Sequence, residues 1–318
     1  MLNLVVLLVL IGSAASGLAQ VSQVSARRQG ANSGHAPAAA SSQIFPAPIP
    51  GQVTWAPAPL VNGSPCLFVF RTQTELASLR GKWLGHDVYF SRPASGDAWY
   101  GIAGVDQNIP PGAYELQLEA VKSDGAPGQF TQLVEVSAII YRSEVLRVPE
   151  RFVKPTPEMQ KRIEEDRQLK QRVFSQITQA AEWSGSFIAP VDTQVSEGFG
   201  TRRVFNGEVK SVHQGMDFHA RPGTPVLAAN SGQVVLASNL FYEGNCVVID
   251  HGQGLFTLYM HLSEIQTEVG QQIKRGQVIG LSGATGRATG PHLHMAVRWE
   301  GVYLDPARLL AISMPELR

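Results

Sequence analysis

Six of the chain's eight histidines, His213, His219, His251, His261, His292 and His294, fall within 82 consecutive residues of 318. An even scatter would put about two there, so side chains suited to chemistry are gathered in this stretch. Their spacing matters as much as their number. In His213-Gln214-Gly215-Met216-Asp217 an imidazole and a carboxylate stand four residues apart, and in an extended segment such positions point to the same side. In His292-Leu293-His294 two rings share a strand face by the same alternation. His261 closes another strand-like run, Tyr259-Met260-His261-Leu262. Imidazole nitrogen and carboxylate oxygen suit Zn2+, and three such ligands with a fourth position open mark a catalytic rather than a structural site. Asp217 and two histidines would supply the three, leaving two histidines to move protons. Parity does not choose between His292 and His294. No histidine precedes a glutamate, so the helical His-Glu-x-x-His arrangement is absent.

These residues need a scaffold. From Pro190 onward the chain reads as short strands and glycine turns, among them Gly232-Gln233-Val234-Val235-Leu236, Cys246-Val247-Val248-Ile249-Asp250 and Phe256-Thr257-Leu258-Tyr259. No long helical pattern interrupts them, which predicts a compact all-β domain over 186–318. Residues 149–185 are rich in charge. Thr156 is placed to cap a helix with Pro157 at its first position and Glu158 in its first turn. Met159, Ile163, Val173 and Ile177 give it one apolar stripe, and Gly185 is the expected stop, which makes this a connecting helix. Residues 46–148 alternate polar and apolar in runs such as Tyr114-Glu115-Leu116-Gln117-Leu118, divided by turns such as Pro110-Pro111-Gly112. That pattern predicts a β-sandwich of immunoglobulin type. The fold class is therefore mainly β.

The N-terminus carries different signals. Leu2 to Ile11 is apolar and too short to span a bilayer, and Gly17-Leu18-Ala19 offers small side chains for a signal peptidase. Residues 1–19 read as a secretory signal peptide cleaved after Ala19, with no stable membrane span afterwards. Residues 20–45 read as a disordered linker. The chain is thus expected to be exported, to the periplasm or the extracellular cell envelope. Disulfides are permitted there, but Cys66 and Cys246 fall in different predicted domains and are expected as two buried thiols. Lysine plus arginine equals aspartate plus glutamate at 26 each, so the cationic footprint of a nucleic-acid binder is absent.

A family resemblance rests on an ordered set of motifs. Phe199-Gly200-Thr201-Arg202-Arg203, Phe205-Asn206-Gly207, His213-x-Gly215-x-Asp217, Gly223-Thr224-Pro225-Val226, Tyr259-x-His261-Leu262, Gly276-Gln277-x-Ile279-Gly280 and Thr289-Gly290-Pro291-His292-Leu293-His294 occur in that order. Together they resemble the lysostaphin-type, or LytM-like, zinc endopeptidases, over roughly Val195 to Asp305. The resemblance implies antiparallel sheets of the LytM/lipoyl-like duplicated hybrid type around a groove floored by zinc. It implies that His213, Asp217 and His294 hold one Zn2+ and that His261 and His292 are catalytic. It also implies a peptidoglycan peptide as substrate, cut by zinc-promoted attack of water. Val204-Phe205-Asn206-Gly207 departs from relatives that place a tyrosine before the first ligand, so no tyrosine is carried over. His219 shares parity with the ligands but matches no family position, and His251 reads as a turn residue.

Two other readings compete. Some relatives lose zinc ligands and become non-catalytic wall-binding or amidase-activating modules, but all five site positions are intact here. Glycine-turn hairpins also build lipoyl-type carrier domains, for which Lys274 in Ile273-Lys274-Arg275-Gly276 is a poor match. The N-terminal sandwich or the helix is expected to shield or orient the groove.

Overall fold

The computed structural model describes residues 46–94, 96, 98–141, 143–146, 154–205 and 209–317. The signal peptide and linker expected over 1–45 lie outside the described residues. Among the described residues no helix is long and apolar enough to cross a membrane.

Among the described residues nine strands come first: β1 (Ala47–Pro48), β2 (Gln52–Ala56), β3 (Leu60–Val61), β4 (Pro65–Arg71), β5 (Leu76–Trp83), β6 (His86–Ser91), β7 (Ala98–Gly104), β8 (Gly112–Lys122) and β9 (Pro127–Ser137). Hydrogen bonds link them in the order β1-β9-β8-β5-β6-β7-β4-β2, with β3 beside β9. β6 pairs first with β5 and then, through Phe90 and Ser91, with β7. It therefore carries the chain from one layer to the other, leaving β2-β4-β7 facing β5-β8-β9. Alternation explains the layers: Leu116, Leu118 and Ala120 of β8 are buried while their neighbours are exposed. Phe68 of β4 meets Trp83 of β5 edge-on across the core, ring centres 5.2 Å apart. The Tyr114 hydroxyl donates to the Pro110 carbonyl at 2.8 Å, the tyrosine corner of immunoglobulin-type sandwiches.

The chain then forms β10 (Ser143–Leu146) and α1 (Pro157–Phe174). Thr156 caps α1 with its hydroxyl accepting from the Met159 N–H, as its sequence predicts. The helix ends well before Gly185. Ser175 closes it, its N–H donating to the Gln171 carbonyl while the Gln176 N–H donates to the Val173 carbonyl. The next residues are captured by the C-terminal sheet: the Thr178 hydroxyl donates to the Asp250 carboxylate at 2.6 Å, and the Thr178 carbonyl accepts from the Gln253 N–H at 2.6 Å. Gly252 permits this approach, because a Cβ there would stand 1.9 Å from the Ala180 carbonyl oxygen.

The remaining strands are β11 (Val195–Glu197), β12 (Arg202–Phe205), β13 (Val209–Val212), β14 (Met216–Phe218), β15 (Pro225–Leu227), β16 (Gly232–Leu240), β17 (Gly244–Asp250), β18 (Leu255–Leu262), β19 (Glu264–Ile265), β20 (Gln272–Ile273), β21 (Val278–Leu281), β22 (Leu293–Trp299) and β23 (Val302–Leu304), followed by α2 (Pro306–Ala311). The main sheet runs β11-β14-β22-β18-β17-β16-β20, with β23 beside β22. Its two faces enter different cores. Val247, Ile249, Tyr259, Val297 and Trp299 join the large core shared with the sandwich. Val248, Phe256, Leu258, Met260 and Ala296 form a second core under Leu169, Val173 and Phe174 of α1. Both faces being covered, β18 is buried along its whole length. Cys66 and Cys246 are both buried free thiols.

His251 belongs to the frame. Its Nδ1–H donates to the Ser231 carbonyl at 2.6 Å and its Nε2 lies 2.7 Å from the Thr257 hydroxyl. Burial pushes its pKa down to about 4, although the Ser231 carbonyl pulls the other way. An unfolded histidine titrates near 6.5. The folded value is the lower one, so the stability His251 contributes is complete above about pH 6.5 and is lost as pH falls toward 4, at about 1.4 kcal/mol per pH unit. Urea unfolding between pH 7 and 4.5 should therefore show the wild type losing about 2.5 kcal/mol more than His251→Gln. Equal losses would contradict this.

Candidate metal centre and catalytic cleft

Strand register brings the first two ligands together. Asp217 on β14 lies directly opposite His294 on β22, so both project from one face of the sheet. Asp217 Oδ1 is 2.7 Å from His294 Nδ1 and 3.1 Å from His213 Nε2, and those two nitrogens are 3.0 Å apart. His213 arrives differently from the sequence expectation. It lies beyond β13, before a bend at Gly215, and not on a continuous strand with Asp217. Its backbone holds it instead: its N–H donates to the Thr201 carbonyl and its carbonyl accepts from the Gly200 N–H, each at 2.8 Å. Gly215 is required for closeness, since a Cβ there would stand 2.4 Å from both His294 Nε2 and the Met295 carbonyl oxygen.

The donor set fits a divalent cation. The His213 Nδ1–H donates to the Gly198 carbonyl at 2.9 Å, which turns the Nε2 lone pair toward Asp217 and His294. Burial of Asp217 favours its protonation, but the two imidazoles at Oδ1 outweigh this and hold the carboxyl well below the usual range. One ligand atom from each of His213, Asp217 and His294 can be drawn within 4.8 Å of the other two. Two imidazole nitrogens and one ionised carboxylate match the nitrogen and oxygen preference of zinc.

Two more histidines stand beside this cluster. His261, the penultimate residue of β18, lies in the left-handed region, φ 61°. Its backbone N–H donates to the Glu243 carbonyl and its Nδ1–H to the Thr285 carbonyl, both at 2.8 Å. Its Nε2 is thereby left to accept. Burial, and then the neighbouring His294 and His292, push its pKa down to about 3. His292 donates Nδ1–H to the Gly290 carbonyl at 2.8 Å, and its Nε2 lies 3.8 Å from Asp217 Oδ1. The His261 and His292 ring centres are 4.8 Å apart. All five residues singled out for chemistry therefore meet in one cleft. His219 does not join them; it is exposed and lies beside Arg221 and Pro291. His251 is buried in the frame.

Some cleft residues escape a reading of motifs. A space of about 160 Å3 next to the histidines is also lined by Lys170 from α1 and by Tyr242, Glu243 and Arg287. Lys170 pairs with Glu243, and the Arg287 guanidinium lies over the Tyr242 ring, 4.6 Å from its centre. The run Phe241-Tyr242-Glu243-Gly244 was the available signal, aromatic and charged residues packed into a turn between strands. Lys170 had none, because its helix position says nothing of a cleft 73 residues away in sequence.

A β-sheet carrying this His/Asp/His cluster with two adjacent histidines defines a metallopeptidase type of site. Residues 211–306 match the model of peptidase family M23. It is 46% identical over 134 residues to the peptidoglycan DD-endopeptidase ShyA of Vibrio cholerae, covering 40% of this chain and 31% of that one. The chain thus spans about a third of that relative's length. It is 36% identical to the catalytic domain of the antimicrobial peptidase lysostaphin from Staphylococcus simulans, covering 38% of this chain and 94% of that one, with a TM-score of 0.35. A crystal structure from Pseudomonas aeruginosa assigned to peptidase M23 is 29% identical, with a TM-score of 0.60, and covers 79% of this chain and 94% of that one. That last coverage extends well beyond the family segment and takes in the β-rich part before it.

Gly215→Ala should weaken binding of a divalent cation such as Zn2+ at this cluster at least about tenfold, because overpacking a site of this kind costs about 1–3 kcal/mol. Competition against a chromophoric chelator measures it, and unchanged affinity would contradict the tight packing against His294.

Proposed function

We propose that the protein is an exported zinc-dependent metalloendopeptidase that hydrolyses peptide bonds of bacterial peptidoglycan. The observation that carries this is the convergence of His213, Asp217 and His294 beside His261 and His292. The relative named as a peptidoglycan DD-endopeptidase supports the substrate class.

His213 Nε2, Asp217 and His294 Nδ1 are the ligands in this reading. When bound, zinc supplies a Lewis acid that activates water and polarises the scissile carbonyl. The chain's own residues do the rest. Asp217, ionised, offsets the cation's charge. The carbonyls of Gly198, Thr285 and Gly290 hold one nitrogen each of His213, His261 and His292, fixing ring orientation. His292 Nε2 faces the cluster and His261 presents Nε2 beside it, so this pair takes the proton of the attacking water and returns it to the leaving amine. Peptidoglycan lies in the cell envelope, and residues 1–19 are the segment that would direct export there.

The proposal is tested by digesting purified peptidoglycan with zinc-loaded protein and reading the fragments by mass spectrometry. New amine and carboxylate ends in the peptides are expected; intact peptides would reject the proposal. His261→Ala and His292→Ala should each retain one zinc while turnover falls about 10²–10⁴-fold. His294→Ala should lose the metal. Zinc lost from His292→Ala but kept in His294→Ala would reverse the assignment of roles.

A further inference from the structure

Helix α1 and the β22–β23 hairpin border a second, open cavity of about 590 Å3. It adjoins the catalytic cleft, since Lys170 and Tyr303 line both. Arg167, Lys170 and Arg298 line it together with one acid, Glu300, whose Oε1 is buried and has no hydrogen-bond partner among the described residues. Two of the cations are committed. Arg167 forks onto Glu164, both bonds 2.7 Å, and Lys170 pairs with Glu243. Arg298 is held another way. It stands on β22 between Phe256 and Tyr303 of the flanking strands, its guanidinium carbon 4.0 Å from the centre of the Phe174 ring. Its Nη1 is buried and has no hydrogen-bond partner among the described residues. Burial works against its charge, while Tyr303 and Glu300 favour it, and a guanidinium remains charged in such a site. A buried charged donor without an acceptor is costly, and the planar fork of arginine matches a carboxylate.

The position is informative as well as the charge. His294, Ala296 and Arg298 alternate on one face of β22, so Arg298 lies four strand residues, about 13 Å, from the metal ligand. An extended peptide covers that distance in three to four residues. Resting on the peptidase reading above, we infer that this cavity is a substrate subsite in which Arg298 binds a carboxylate of the peptide three to four residues from the bond that is cut. Helix α1 then forms one wall of the substrate site, and peptides carrying a neutral amide at that position are poorer substrates.

The test uses the full chain loaded with zinc and two peptides that share the bond found cut in peptidoglycan. They differ only in a carboxylate or a carboxamide at the stated position. Wild-type protein should favour the carboxylate by about tenfold or more, carried mainly by KM. Arg298→Met, which keeps the packing on Phe174, should abolish the preference, and Arg298→Lys, which keeps the charge without the fork, should retain part of it. No preference in the wild type, or the same preference in Arg298→Met, would overturn the inference. Calorimetry with the same peptides on zinc-free wild type separates the two ideas. Carboxylate-selective binding with no hydrolysis in the loaded protein would reject the peptidase reading and keep the subsite. Hydrolysis without selectivity would reject the subsite alone.

Discussion

The pairing of Asp217 with His294 across β14 and β22 is the constraint from which the site follows. Side-chain direction alternates along a strand, so a slip of one residue in this register would send one ligand to the opposite face. Burial makes such a slip expensive. β22 feeds Val297 and Trp299 to one core and Ala296 to another, and each would be exchanged for a neighbour of different size. His213 is then brought to the pair by backbone hydrogen bonds to Gly200 and Thr201, and a glycine at 215 leaves room for the His294 ring. The geometry of the cluster is therefore a property of a packed sheet and not of a loop that must close.

Helix α1 adds a different kind of control. None of its residues is fully buried, and an isolated helix of 18 residues is marginal in water. Leu169, Val173 and Phe174 anchor it to the sheet, and polar contacts finish the docking: Asp166 accepts from the Phe241 N–H at 2.7 Å and Lys170 meets Glu243. Both contacts fall on the turn whose Glu243 carbonyl holds the His261 backbone. The helix thus roofs part of the face that carries Asp217 and His294 and steadies the turn beside His261.

Much of this was legible in the sequence, and the reasons differ by element. The sandwich strands announced themselves because each has one buried and one exposed face, and the Pro-Pro-Gly-x-Tyr step became a tyrosine corner. The histidines stood out by crowding and by motif order. The bend before Asp217 was hidden, because Gly215 was read as part of an extended run when its lack of a Cβ serves the approach of His294. The early end of α1 was hidden too. Polar residues after Phe174 are compatible with a helix until Thr178 finds Asp250, a tertiary contact that no local pattern contains. The roles of Lys170, Tyr242 and Arg287 arise only when the helix and two turns meet. The parallel pairing of β10 with β12 likewise joins segments that share no local signal.

Anomalous diffraction at the zinc edge from crystals of the zinc-loaded protein tests the central claim most directly. One peak is expected per chain, within bonding distance of His213 Nε2, an Asp217 oxygen and His294 Nδ1, at about 2.0–2.2 Å. His261 and His292 should stand beside it without bonding to it. A peak bound by His261 or His292, or no peak between Asp217 and His294, would contradict the account.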